Sequence, residues 1–271
     1  MALSRVTTIE GLYITDLCKN KIAVDPKVQE EMQKLRTKRS LQLCFTLLYD
    51  VNTSDLKVCH LNARSLHKHI KDIRSDLNYL ASDIGIFTET RFSPFDDDEM
   101  YTINGFQPFR NDDMFNRNDN RRPYHGTAVY SKIPFVEGYP YSHNINGVEF
   151  TVIKVINHED LTMIGVYRSP HVSLTHLCSA LHDIVGENIL QHNIIIGDFN
   201  VNWMVDTERQ SLYNVMIRDN GYMQLITSYT TDNNTLIDHI YTNITNMEVD
   251  SGNIETYFSD HKAIRISCKR K

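Results

Sequence analysis

The chain has 271 residues, 41% hydrophobic and 23% charged, with eleven Gly, seven Pro and five Cys, enough for a real core in one large or two modest domains. A small disulfide scaffold and a wholly disordered chain are thereby excluded. The formal net charge of −6, from 28 Lys plus Arg against 34 Asp plus Glu, gives no general attraction to a polyanion, so a nucleic-acid partner requires a local basic face or a bound cation.

The first forty residues carry eight basic against five acidic side chains, leaving 20 basic against 29 acidic in the rest, a shift that predicts two modules. Asp25-Pro26 followed by residues 27–36 reads as an N-capped helix with Pro in its first turn and Val28, Met32 and Leu35 at three- and four-residue spacing. Its other faces are charged, which suits a surface helix or tether as well as a basic arm on nucleic acid. Residues 37–40 form an exposed link and 41–55 a lead-in segment. The longest strongly apolar stretch, residues 43–49, is too short to span a bilayer, and Arg5 and Glu10 interrupt the region where a secretory signal needs an apolar core. Cys18, Cys44, Cys59, Cys178 and Cys268 are odd in number and never form a CxxC pair, so neither a disulfide framework nor a zinc knuckle is signalled. A soluble, intracellular, reduced protein without a membrane partner is expected.

From residue 56 onward strands are predicted at 56–62, 83–89, 126–131, 149–155, 161–167, 193–200, 236–241 and 263–267, with a helical stretch after the first in which Ile70, Ile73, Leu77 and Leu80 share a side. Many short strands with few helices predict two packed sheets with helices outside, as α+β or layered α/β. Residues 110–122 are almost wholly polar and predict a long loop, either plain surface or, with three arginines in six residues, a strand-gripping arm.

Strand after strand ends on a group able to bind a metal or activate water: Asn62, Glu89, Tyr167, Asp198 with Asn200, Asp238, and Asp260 with His261. Ligands collect where strand ends face loops, which predicts a shared cleft. Glu89 and Asp260 offer hard oxygens suited to Mg²⁺ or Mn²⁺. Asp198 follows an apolar run and Gly197, where close backbone approach is permitted, and can orient or deprotonate water; the Asn200 amide can donate to a phosphoryl oxygen. Turn capping is also an open role for both. His261 has the one side chain that titrates near neutrality, and a carboxylate such as Asp238 would orient it. His60, His67, His69 and His239 read as ordinary polar residues.

In order, HLNARSL around Asn62, FTET at Glu89, GVYRSP around Tyr167, GDFN at 197–200, LIDHIYTN at 236–243 and SDHKAI at 259–264 resemble the endonuclease/exonuclease/phosphatase superfamily over residues 56–268, with LNARSL and VYRSP most similar to its mobile-element endonucleases. The resemblance implies an α/β fold, a four-layered α/β sandwich of two packed mixed sheets flanked by helices, that cuts DNA with Mg²⁺ or Mn²⁺. It further implies that Asn62 and Glu89 help hold the metal, Tyr167 contacts the scissile phosphate and Asp198 positions water. Asn200 would orient the reacting groups, Asp260 support the metal and His261, and Asp238 align His261; Arg168, Ser169 and Thr235 would touch the DNA backbone. Residues 1–36, with ALSRVTTIEGLYI and NKIAVDPKVQEEM, resemble the C-terminal end of helicases of rolling-circle transposons, Arg5 belonging to the last ATPase motif. That implies a helicase remnant and tether at 1–40, partnership with helicase or other transposon proteins, and nuclear access. Residues 269–271 form a basic tail, which with Lys262 and Arg265 either contacts phosphates or keeps the terminus solvated. Another phosphoesterase of the same superfamily and a silent DNA-binding remnant are the competing functions.

Overall fold

The computed structural model of the chain describes residues 55–112, 124–188 and 191–270, with Pro26 the sole described position before them. The helix at 25–36 otherwise, the link at 37–40, the helicase resemblance with Arg5, the lead-in before Asp55, residues 113–122 of the polar loop and Lys271 lie outside the described residues.

Twelve strands form two six-stranded sheets among the described residues. The first contains β1 (Leu56–Asn62), β2 (Ile84–Thr88), β3 (Gln107–Asn111), β4 (Thr127–Ser131), β11 (Met247–Ile254) and β12 (Ala263–Arg270), in the order β11-β12-β1-β2-β4-β3. The second contains β5 (Tyr141–Ile145), β6 (Val148–Ile153), β7 (Leu161–Arg168), β8 (His192–Asp198), β9 (Met223–Gln224) and β10 (Asp238–Thr242), in the order β5-β6-β7-β8-β10-β9. Both sheets are mixed, and in both only the central pair is parallel: β1 with β2, and β7 with β8. Parallel neighbours need a crossover, and helices supply both. Helices α1 (Leu66–Ser75) and α2 (Leu77–Ala81) join β1 to β2, and α3 (Leu174–Glu187) joins β7 to β8.

Alternation along the strands sets the layers. Leu56, Val58, Ile84, Ile86, Ile264 and Ile266 of the first sheet meet Leu161, Met163, Ile194, Ile196 and Ile240 of the second in a core between the sheets. The intervening residues Cys59, Leu61 and Phe87 face outward onto Leu66, Ile70 and Ile73 of α1. On the other side Ile164, Val166 and Ile195 face Leu177, Leu181 and Ile184 of α3, with Leu212 of α4 (Asp206–Leu212) and Met216 of the π-helix Tyr213–Arg218. The result is helix, sheet, sheet, helix: the α/β sandwich of two mixed sheets flanked by helices that the sequence led us to expect.

All eight predicted strands are present, shifted by a few residues at their ends. The helical stretch after β1 is two helices, because Asp76 leaves the helical conformation and caps α2 by accepting from the Asn78 N–H at 2.8 Å. Leu77, expected on the buried side, is half exposed in consequence. Among the described residues no helix is long and apolar enough to cross a membrane.

Candidate active site

The alternation that fills the inter-sheet core also delivers its polar end. On β1 the face of Leu56 and Val58 continues to His60 and Asn62; on β2 that of Ile84 and Ile86 continues to Thr88; on β8 that of Ile194 and Ile196 continues to Asp198. Tyr167 extends the inner face of β7, and Asp238 opens β10 opposite Asp198 in the antiparallel register. Asn62, Asp198 and Asp238 are at most 1% exposed. Gly197 is required here, because a Cβ would stand 2.0 Å from the Val166 carbonyl oxygen of the parallel neighbour β7.

Asn62 is the pivot between the sheets. Its amide donates to Oε1 of Glu89 and to Oδ2 of Asp198, both at 2.9 Å. Glu89 directly follows β2 with a left-handed backbone (φ 49°), a conformation an L-glutamate adopts only when its surroundings hold it there. The Tyr167 hydroxyl lies 3.3 Å from Glu89 Oε1 and 3.2 Å from Nδ1 of His125. Burial first, and then the Glu89 charge, pushes the Tyr167 phenol up, so it stays protonated.

Asn200, also left-handed (φ 49°), closes the turn after β8: its backbone N–H donates to Asp198 Oδ1 at 2.9 Å. Its amide donates to Asp198 Oδ2 at 3.2 Å and to the Arg168 carbonyl at 2.7 Å, so both amide hydrogens orient the protein itself. Across the register, Oδ2 of Asp238 meets Nδ1 of His261 at 2.9 Å. Burial disfavours the imidazolium, but Asp238 outweighs it and His261 is pushed up to about 10. Burial likewise opposes the Asp238 anion, yet His261 holds it below the ordinary carboxylate value. Asp198, buried and beside the Asp238 charge, is pushed upward.

Asp260, next to His261 in the chain, turns its Oδ2 to Nη1 of Arg64 at 2.6 Å, while its Oδ1 is buried with no hydrogen-bond partner. Arg168 points inward: its guanidinium donates to the carbonyls of Val172 (2.9 Å), Phe199 (3.1 Å) and Asn200 (2.7 Å). Thr235 pairs with the Thr231 hydroxyl at 2.6 Å, and the Ser169 carbonyl accepts from the Val172 N–H at 3.0 Å. The structure thus joins Asn62, Glu89, Tyr167, Asp198 and Asn200 in one network and pairs Asp238 with His261. It ties Asp260 to Arg64, and gives Arg168, Ser169 and Thr235 partners within the protein.

Arg64 and His125 lie outside the site that the sequence predicts, and His60, an ordinary polar residue by sequence, lines it. The period-two pattern of β1 contained the signal for His60. No motif marked His125, which precedes β4 and reaches the site from the first sheet.

The donor set suits a hard divalent cation. Asp198, Asp238 and His261 lie with their side-chain donor atoms within 4.8 Å of one another, a cluster distinct from the expected metal holders Asn62, Glu89 and Asp260; with His261 cationic and bonded to Asp238, the hard donors are the carboxylate oxygens, among them the buried, unpartnered Oδ1 of Asp260.

Comparison with known proteins agrees with this architecture. The family model described as endonuclease/exonuclease/phosphatase family matches residues 51–261. No curated protein matches the sequence. Among solved structures, the 3′-5′ exonuclease NExo from Neisseria meningitidis is 16% identical with a TM-score of 0.57, over 79% of this chain and 99% of that one. The AP endonuclease LMAP from Leishmania major is 14% identical with a TM-score of 0.58, over 80% and 88%. The human Nocturnin catalytic domain, solved with bound sulfate, is 13% identical with a TM-score of 0.54, over 80% and 94%. At such identities the likeness is one of fold.

Proposed function

We propose, from the premise that this chain belongs to the endonuclease/exonuclease/phosphatase family, that it hydrolyses phosphodiesters with a divalent metal ion and that its substrate is DNA, which it nicks. The carrying observation is the connected network from Tyr167 through Glu89 and Asn62 to Asp198 and Asn200, set against the Asp198, Asp238 and His261 cluster. Two structural neighbours, an exonuclease and an AP endonuclease, support a nucleic-acid substrate.

Glu89, Asn62 and Asp260 would hold Mg²⁺ or Mn²⁺, which when bound neutralises the nonbridging phosphate oxygens. Asp198 orients the attacking water and takes its proton, a task that suits a carboxyl pushed upward by burial. His261, kept cationic by Asp238 on its Nδ1, has Nε2 left to donate to a phosphoryl oxygen as charge develops. Asn200 fixes the plane of Asp198, and the protonated Tyr167 donates to the phosphate.

The finer part of the proposal is a mobile-element endonuclease following a helicase tail. LNARSL at 61–66, VYRSP at 166–170 and the wording of residues 1–36 support it, and association with other transposon proteins in the nucleus would follow.

Supercoiled plasmid and Mg²⁺ test the activity. Purified protein is expected to yield nicked circles, and Asp198→Asn and His261→Ala to slow this by about 10²-fold or more. Nicking that persists in EDTA, or that neither substitution slows, would overturn the assignment.

A further inference from the structure

Asp238 is wholly buried, and its two carboxylate oxygens have different surroundings. Oδ2 is bonded to His261, while Oδ1 has no hydrogen-bond partner. An ionised carboxylate oxygen left bare in the interior is costly, and donors are normally aimed at it. The Thr230 hydroxyl stands beside the Asp238 carboxylate and accepts from the Asp238 N–H at 3.1 Å, and the titratable group facing Oδ1 is Nδ1 of His60, 3.9 Å away, itself wholly buried and itself without a hydrogen-bond partner. Two unmet groups of complementary chemistry therefore face each other across the gap between the sheets, one from β1 and one from β10.

The carboxylate favours a proton on Nδ1, and the other ring nitrogen is compatible with it. His60 Nε2 lies 3.3 Å from the Thr88 hydroxyl of the adjacent strand β2. Were the ring proton on Nε2, the lone pair of Nδ1 would confront a carboxylate oxygen. With the Thr88 hydroxyl donating to Nε2, the proton of a neutral ring is on Nδ1 and points at Asp238. Asp198 and Asn62 show the same plan nearby, a buried acid held by a donor from the opposite sheet.

We infer that His60 is a positioning residue, a second imidazole that clamps Oδ1 of Asp238 while His261 occupies Oδ2, so that Thr88, His60, Asp238 and His261 form one relay across both sheets. With Oδ2 bonded to His261 and Oδ1 facing the His60 N–H at 3.9 Å, the carboxylate has one favoured orientation, which presents Nε2 of the His261 ring to the phosphate. The inference deepens the proposed hydrolytic function and rests on it for its catalytic consequence, though not for its geometry.

Three substitutions in the full chain separate position from mere packing. His60→Asn puts an amide N–H close to where Nδ1 stands; His60→Gln carries the same amide one bond further, towards Thr88; His60→Leu carries none. In Mg²⁺-dependent nicking, kcat is expected to fall about tenfold in His60→Gln and His60→Leu with KM unchanged, and to stay within about twofold in His60→Asn. A readout independent of activity is the proton NMR signal of His261 Nδ1–H, which the carboxylate shifts downfield. That signal is expected to hold its position in His60→Asn and to broaden or move upfield in His60→Gln.

Equal behaviour of the Asn and Gln variants in both measurements would overturn the role. If the unsubstituted protein nicks no DNA, the proposed function fails while the His261 signal still decides the clamp. If His60→Leu does not fold, the Asn and Gln pair carries the decision.

Discussion

Arg168, expected from its motif at the DNA backbone, is held by the protein's own backbone. By motif it lies beside Tyr167 and would contact a DNA phosphate, yet its guanidinium donates to three backbone carbonyls and the residue is only 8% exposed. Two of those carbonyls, of Phe199 and Asn200, belong to the turn that carries the Asp198 partner Asn200, and Asn200 in turn donates to the Arg168 carbonyl. A hydrogen bond to a charged group contributes about 1.5–3 kcal/mol net, and those of one guanidinium do not add in full. Arg168→Met is therefore expected to lower stability by about 2–4 kcal/mol and to reduce kcat through a loosened Asn200 turn, with little change in DNA affinity. Urea denaturation and a binding titration with catalytically impaired protein check this; a large loss of affinity at unchanged stability would return Arg168 to the DNA.

At the scale of elements, glycine marks where strands cannot yield. Gly197 and Val166 are partners in the parallel β7–β8 pair, and an alanine methyl at 197 would lie 2.0 Å from the Val166 oxygen and 2.7 Å from its carbon and nitrogen, all backbone atoms. Relief requires the central pair to separate, so Gly197→Ala is expected to destabilise by about 3–5 kcal/mol and to displace Asp198 from Tyr167. Gly186 in α3 is the internal control: a methyl there meets nothing within 4 Å, and Gly186→Ala should stabilise by about 0.5–1 kcal/mol. Equal unfolding midpoints for the two variants would refute the steric reading. The apolar run Ile194–Ile196 made β8 legible in the sequence, and the polar residue after each such run made most of the site legible too. The four strands that hydrophobicity did not disclose, β3, β5, β9 and β11, are the four edges of the two sheets. An edge strand half-faces solvent, as the exposed Gln107, Pro108, His143 and Asn144 do, so it carries no apolar alternation to read. His125 and Arg64 were hidden for another reason: tertiary packing, not spacing within a motif, sets them beside Tyr167 and Asp260.

Across the whole molecule, two apolar layers each enclose a thiol, and these report on the integrity of both. Cys59 lies between the first sheet and its helices, and Cys268 in the core between the sheets. Burial pushes both up to about 12. An unfolded chain loses these protons near the ordinary thiol value of about 8.5, whereas the folded protein retains them. Between that value and about 12 the folded state binds more protons than the unfolded, so stability falls as pH rises, and below it the thiols contribute no slope. Each can add at most about 1.4 kcal/mol per pH unit. The urea midpoint is thus expected to decline between pH 9 and 10, a decline that Cys268→Val reduces and that Cys59→Val with Cys268→Val reduces further. Because the two thiols occupy different layers, additive reductions would mean that both layers open in one cooperative unfolding step. If only one substitution changes the slope, the layer holding the other thiol has already opened before the measured transition.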